Sequence, residues 1–228
     1  MQCVILAAGL GTRMEELTGE IPKPMLTVNG KTLLEHKFDA LPDDVTEVIL
    51  VVGYLGDKIK ERFGGEYNGK RLTYVVQERL DGTGGALWAA KEILKDTFLV
   101  MNGDDIYAKE DIEKAACFPW SVVGLAVDDL KGGAKIITDG ADRVVDILEV
   151  GEHDNGPGFL NSGLYCLDRR IFDHPLVPKE RGGAEFGLPQ TIIKSGVPFV
   201  LIKASFWVQI TDPSDLKKAE EILANFGA

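Results

Sequence analysis

The sequence predicts an α/β fold: a single Rossmann-like, doubly wound sheet, mixed but mostly parallel. Three observations point to it. Short apolar runs recur at residues 4–8, 45–52, 72–76 and 98–101, each the length of a buried strand. Segments with helical spacing or capping signals separate them. The first run passes into a glycine-rich loop, Gly9-Leu10-Gly11-Thr12-Arg13, at the strand edge where such sheets hold phosphates.

Taken in order, residues 4–8 have no polar break and read as the first buried strand. Over 32–41 the apolar residues Leu33, Leu34, Phe38 and Leu41 fall at helical spacing. Residues 45–52 form the second strand, 56–63 a short helix and 72–76 the third strand. A helix follows over 84–95 with Thr83 as its N-cap, and a fourth strand over 98–101. This alternation predicts parallel pairing. The texture then changes. Strand 121–127 precedes a hairpin, 134–138 with 143–150, turning at Asp139-Gly140. Strands follow at 159–167 and 199–203, with a helix over 186–195. The last helix opens at Asp212-Pro213-Ser214-Asp215, with Asp212 as N-cap, Pro213 at the first position and Asp215 at the third. No linker, low-complexity tract or internal repeat interrupts the chain, which reads as one domain over 1–228.

Bulk properties exclude more than they identify. A chain of 228 residues can bury one large core. The net charge of −11 argues against non-specific nucleic-acid binding. It also demands a local cationic site or a metal for any polyanionic substrate. No basic, apolar leader is visible, and no apolar run approaches the ~20 residues that span a bilayer. No membrane association is expected. Cys3, Cys117 and Cys166 lack ligand spacing. Cys3 and Cys166 read as buried thiols, which suits a reducing cytoplasm. The three histidines are scattered, His36 is expected to be structural, and no Ser-His-Asp or Cys-His arrangement is readable.

The residues with chemical promise cluster early. Gly9 and Gly11 allow backbone N–H groups to approach a ligand. Thr12 adds a hydroxyl and Arg13 a fixed positive fork. Lys23 stands between Pro22 and Pro24, whose fixed φ stiffens that segment and holds the ammonium out on a rigid stalk. Met14 occupies the place where a dinucleotide fingerprint needs its third glycine, and no G-x-x-x-x-G-K-[ST] run exists. Gln77 ends the third strand five residues before Gly82-Thr83-Gly84-Gly85. Its amide offers one donor and one acceptor edge to a base. Asp104, in Asn-Gly-Asp after the fourth strand, is placed for Mg²⁺, which prefers few protein carboxylates plus phosphates and water. Adjacent Asp105 points to the other side of the chain.

Read as a whole, LAAGLGTRM…PKPML…GKTLLEH resembles the signature of sugar-1-phosphate nucleotidyltransferases, the NDP-sugar pyrophosphorylases. Glu16 and Thr27 stand where that signature commonly has proline. The resemblance implies a fold of the GT-A type, with a nucleotide-binding half over about 1–105 and a sugar-phosphate-binding half over about 106–228. It implies transfer of a nucleotidyl group from an NTP to a sugar 1-phosphate, with Mg²⁺ as cofactor. Leu6, Ala8, Gly9, Gly11, Thr12 and Arg13 would bind nucleotide, joined by Gln77, Gly82 and Thr83 around the base. Gln77 in this pattern favours UTP or dTTP. Arg13 and Lys23 would be the catalytic cations. Lys23, Glu149 and Asn161 would hold the sugar phosphate.

Two departures from the family pattern matter. The second metal ligand of the family is an Asp in a Trp-x-Asp run, and here Trp207-Val208-Gln209 puts Gln209 beside Asp104 as the metal pair. A lysine common after the sugar-contacting Glu is replaced by Val150, leaving Lys23, Lys203 or metal for the phosphate. No hexapeptide β-helix repeat, which some relatives carry, follows the last helix. Two other functions stay open: a cytidylyltransferase acting on phosphocholine or a related alcohol phosphate, and a catalytically weak, nucleotide-sugar-binding regulatory subunit.

Overall fold

A computed structural model describes residues 1–180 and 183–226. In chain order the elements are β1 (Gln2–Ala7), β2 (Thr27–Val28), β3 (Lys31–Thr32), α1 (Leu33–Ala40), β4 (Glu47–Val52), α2 (Gly56–Phe63), β5 (Glu66–Tyr67), β6 (Lys70–Val76), α3 (Gly82–Ala89), β7 (Thr97–Asn102), β8 (Asp105–Tyr107) and α4 (Lys109–Ala116). The second half adds β9 (Ser121–Val127), β10 (Lys135–Thr138), β11 (Val144–Leu148), β12 (Gly158–Asp168), α5 (Leu188–Ser195), β13 (Val200–Lys203), β14 (Trp207–Gln209) and α6 (Pro213–Phe226).

The main sheet is mixed. Its strand order is β11-β10-β12-β7-β1-β4-β6-β5, with β9 pairing β12 and β13 pairing β9. The run β7-β1-β4-β6 is parallel. Strand β12 then joins β7 antiparallel and begins the second half. Alternate side chains of the parallel strands go to opposite faces. Val4, Ile49, Val51 and Val100 meet α3 and α5 through Ala86, Leu87, Leu188 and Ile192. Cys3, Ile5, Val48 and Leu50 meet α1, α2 and α4 through Leu34, Phe38, Ile59 and Ile112. The sheet is therefore doubly wound, as the alternation of elements predicts.

Helix α1 starts at a complete capping box: Glu35 N–H donates to the Thr32 hydroxyl, and Thr32 N–H donates to the Glu35 carboxylate. Helix α6 opens as expected, with Ser214 N–H donating to Asp212 and Asp212 N–H to Asp215. A third apolar cluster packs α6 through Ala219 and Leu223 against Met14, Leu26 and Leu33, with Ile106, Val208 and Ile210 between them. The C-terminal helix thus buttresses the segment that carries the early motif.

Three differences from the sequence reading have physical causes. Helix α3 starts at Gly82 with Asp81 as N-cap, so Thr83 lies inside its first turn. The Thr83 hydroxyl instead accepts from Leu188 N–H at 3.1 Å. Strands β8 and β14 are three residues each, too short to show alternation, yet they pair antiparallel with Gln209 opposite Asp105. Helix α4, rich in charge along KEDIEKAA, buries Asp111, Ile112 and Ala115. Asp111 accepts from the N–H groups of Ser205 and Phe206, which satisfies its buried carboxylate. Cys3 and Cys166 are buried as expected, and burial pushes the Cys166 thiol up to about 12. His36 Nε2 bonds the Val28 carbonyl at 2.8 Å, a structural role.

Candidate active site

The C-terminal ends of β1, β4 and β7 lie side by side, with Leu6 level with Asn102 and Ala7 level with Val52. This register brings the loops after the three strands to one edge, the usual ligand position in such sheets. Gly103 N–H donates to Leu6 O at 2.9 Å. A Cβ on Gly103 would stand 2.7 Å from that oxygen, so only glycine lets the two strand ends close. Gly11 has φ +66° and turns the chain into a 3₁₀ segment, Thr12–Thr18.

A cleft of about 530 Å³ opens on this edge. Leu6, Ala8, Gly9, Gly11, Thr12 and Arg13 line one wall. Gln77, Gly82 and Thr83 line another, and Lys23, Asp104 and Gln209 complete it. Residues far apart in sequence therefore share a single cavity. Arg13 is exposed there. Lys23 differs from the extended stalk its flanking prolines suggest. The prolines do fix the backbone, with Pro22 at φ −64°, but the ammonium turns inward. It pairs with Asp104 Oδ2 at 2.6 Å, with 9% of the Lys23 side chain and 32% of the Asp104 side chain exposed. Gln77 is buried and donates to Asp81 Oδ1 at 2.9 Å and Gly82 O at 3.1 Å, so its amide is oriented by the start of α3.

Gln209 reaches the cleft because β14 adds to β8, and Ile210 N–H donates to Asp104 O at 3.3 Å. Asp104 and Gln209 offer the cleft one carboxylate and one amide oxygen, donors of the kind that Mg²⁺ accepts. A closed protein cage is not formed: among the described residues no three His, Cys, Asp or Glu side chains gather to hold a metal.

Beneath Asp104 lies a buried polar cluster. Lys37, 1% exposed, donates to Leu33 O at 3.3 Å, to Gly103 O at 3.1 Å and to Asp105 O. Asp105 is fully buried and accepts from Asn102 Nδ2 at 3.2 Å, with the Tyr107 hydroxyl at 3.1 Å. Burial pulls the Lys37 ammonium down and pushes the Asp105 carboxyl up, and their opposite charges oppose both shifts. Asp105 thus faces away from the cleft, as its position suggests.

The residues expected around the sugar do not gather in the same way. Glu149 lines a second cavity of about 920 Å³ and accepts from Gln190 Nε2 at 2.8 Å. Asn161 borders neither cavity. Its amide is engaged by the Tyr165 hydroxyl at 2.7 Å and by Gly163 N–H at 3.0 Å, where β12 bulges. Lys203 is a correction: it pairs with Asp142 at 3.0 Å and lines neither cavity, because β13 ends beside the hairpin turn. Two residues that the sequence does not single out, Lys179 and Glu185, line both cavities and pair at 3.4 Å. Lys179 follows Pro178, the same Pro-Lys signal as at 22–23, but it sits in a loop with no periodicity to place it. Arg13, Lys23 and Lys179 together supply local positive charge in an acidic protein.

The sequence model of the family described as nucleotidyl transferase matches residues 2–224. The chain is 32% identical over 229 residues to the bifunctional protein GlmU of Methanococcus maripaludis, covering 99% of this chain and 55% of that protein. It spans about half the length of the first curated relatives it matches. It is also 30% identical over 237 residues to the UTP–glucose-1-phosphate uridylyltransferase AglF of Haloferax volcanii, covering 98% of this chain and 96% of that one. Among solved structures, HddC from Yersinia pseudotuberculosis complexed with GMP-PN superposes with a TM-score of 0.75 at 27% identity, covering 97% of this chain and 99% of that chain.

Proposed function

The chain belongs to the nucleotidyl transferase family, and on that premise we propose that it transfers a nucleotidyl group from a pyrimidine NTP, UTP or dTTP, to a sugar 1-phosphate. The products are an NDP-sugar and pyrophosphate. The observation that carries this is the common lining of one cleft by Arg13, Lys23, Gln77, Asp104 and Gln209, beside a second cavity that holds Glu149. The likeness to AglF supports a uridylyl donor and a sugar-phosphate acceptor.

In this proposal the base rests against Gln77, Gly82 and Thr83, and the phosphates lie along the Gly9–Arg13 loop. Asp104 and Gln209 would hold Mg²⁺, which when bound would supply neutralisation of phosphate charge. Lys23 is paired with Asp104 and is one hydrogen bond away from release onto a phosphoryl oxygen. Glu149 receives acceptor hydroxyls, and Asn161 does so by exchanging its bond to Tyr165. A protein base is unnecessary, since the second pKa of a phosphate monoester is about 6 and the acceptor is already anionic. Its phosphate oxygen attacks the α-phosphorus in line, a new P–O bond forms, the bond to the bridging oxygen of the β-phosphate breaks, and pyrophosphate leaves toward Arg13. Positioning and charge neutralisation provide the rate.

Pyrophosphate release across a grid of NTPs and sugar 1-phosphates, with phosphocholine included, tests this. The expected result is release with UTP or dTTP and one sugar phosphate. GTP as the best donor, as the GMP-PN complex of HddC would suggest, would overturn the base assignment alone. CTP with phosphocholine selects a different acceptor class. Nucleotide binding without release anywhere would replace the enzyme with a regulatory binding protein.

A further inference from the structure

We infer that Lys37 is a positioning residue that fixes the Asp104 turn; the inference rests on the proposed role of Asp104 in holding the metal. Lys37 is among the largest fully buried side chains of the protein. An ammonium at such a place is costly, and an apolar side chain of similar volume would fill the space without that cost. Its three donors make no direct bond to a carboxylate. They go to the carbonyls of Leu33, Gly103 and Asp105. Two of these flank Asp104 on either side, and the third belongs to the helix that bears the lysine. An ammonium can satisfy three such acceptors at once from a single atom. It therefore straps the turn to α1.

The remaining backbone groups of the turn are held from other directions. Gly103 N–H is held by Leu6 O of β1, and Asp104 O accepts from Ile210 N–H beyond β14. The peptide units around Asp104 are thus tied to three separate elements, while its carboxylate is left facing the cleft with Lys23. A comparison within the molecule separates this role from mere burial. Lys70 is also buried and also donates to two backbone carbonyls, Pro42 O and Val45 O, each at 3.0 Å. The carbonyls it holds belong to residues that line neither cavity, whereas Gly103, held by Lys37, lines the cleft.

The experiment compares Lys37→Met with Lys70→Met. Mg²⁺ activation of pyrophosphate release is measured first. Calorimetric Mn²⁺ affinity is then measured in the presence of a non-hydrolysable UTP analogue. Lys37→Met should raise the half-maximal Mg²⁺ concentration tenfold or more and weaken Mn²⁺ binding to match, with the KM for sugar phosphate unchanged. Lys70→Met should keep the wild-type metal response despite a lower melting temperature. Equal metal responses in the two variants overturn the inference. Where Lys37→Met does not fold, Lys37→Gln, which keeps an N–H donor at shorter reach, carries the same comparison. If neither Lys37 variant folds while Lys70→Met does, Lys37 holds the fold and not the turn, and the inference fails. A wild-type protein without Mg²⁺-dependent release overturns the reading of the site itself. Wild-type release with unchanged metal affinity in the Lys37 variant overturns this inference alone.

Discussion

The two sides of the sheet place their polar residues by different means. On the proposed nucleotide side, parallel strands end in register, and the loops after β1, β6 and β7 deliver side chains to the same cleft. On the acceptor side, antiparallel strands β10, β11 and β12 deliver Glu149 to one cavity and leave Asn161 bonded to Tyr165 outside it. Parallel strand ends converge by construction, because every chain crosses the sheet in the same sense. Antiparallel ends alternate, so a site built from them depends on bulges and loop closures. The teaching is that the proposed nucleotide side is preformed, its residues lining one cleft, whereas the proposed acceptor side has Glu149 and Asn161 apart and would have to be assembled.

The sharpest way to break this contrast is at the cations of the preformed side. Arg13→Ala and Lys23→Ala should each lower kcat by ~10²–10³-fold, the scale for losing one preorganised charge-stabilising group. Pyrophosphate release reads this, with circular dichroism to show a folded protein. A near-wild-type rate in either variant would remove that residue from the machinery. Asp104→Asn comes next, with a loss of about 10²-fold and a shifted Mg²⁺ response. An unchanged Mg²⁺ titration would dissociate Asp104 from the metal.

Gln77→Ala should cost about 1–2 kcal/mol of discrimination between UTP and other NTPs, the scale of a lost hydrogen bond. Competition between nucleotides measures it, and constant ratios would mean that the backbone around Gly82 reads the base. On the assembled side, Glu149→Ala should raise the KM for sugar phosphate by roughly tenfold and leave the KM for NTP unchanged, about 1.4 kcal/mol of binding. If both constants move together, the two cavities act as one site and the contrast fails.

The smallest effect concerns the first turn of α6. Burial raises the Asp215 carboxyl, but hydrogen bonds from Lys218 and from the N–H groups of Thr211 and Asp212 outweigh it and hold the group below its ordinary range. Its contribution is therefore present above the unfolded carboxylate pKa, near ~3.9, and is lost as pH falls through the lower folded value. Asp215→Ala should cost about 1 kcal/mol at neutral pH, as for a lost helix cap. The gap in melting temperature between wild type and variant should close in acid. A gap that persists there would place the stabilisation in packing.

Much of the cleft lining was legible in the sequence for the same reason that it is preformed. Gly9–Arg13 and Pro22–Pro24 are contiguous, and a strand end announces the loop after it. The acceptor side was less legible because its neighbours are distant in sequence. Asn161 depends on a register shift between Asn161 and Tyr165 that no periodicity reveals. Lys203 carried the right charge on a strand that ends against Asp142. Lys179 lay in a loop, and β8 and β14 were too short to show a pattern. Lys37 was hidden because a lysine inside an amphipathic helix ordinarily points to water.

The pairing of β14 with β8 also bears on how the protein is made. Gly9 and Lys23 leave the ribosome early, but Gln209 and the α6 residues that pack behind Met14 and Leu26 emerge about 190 residues later. The cleft cannot close its rim until that late segment returns to the start of the chain, a contact of very long sequence separation that slows folding. A nascent chain stalled before β14 would hold the Gly9–Arg13 loop without its buttress. If the cleft takes nucleotide as proposed, capture should begin only after synthesis of this segment.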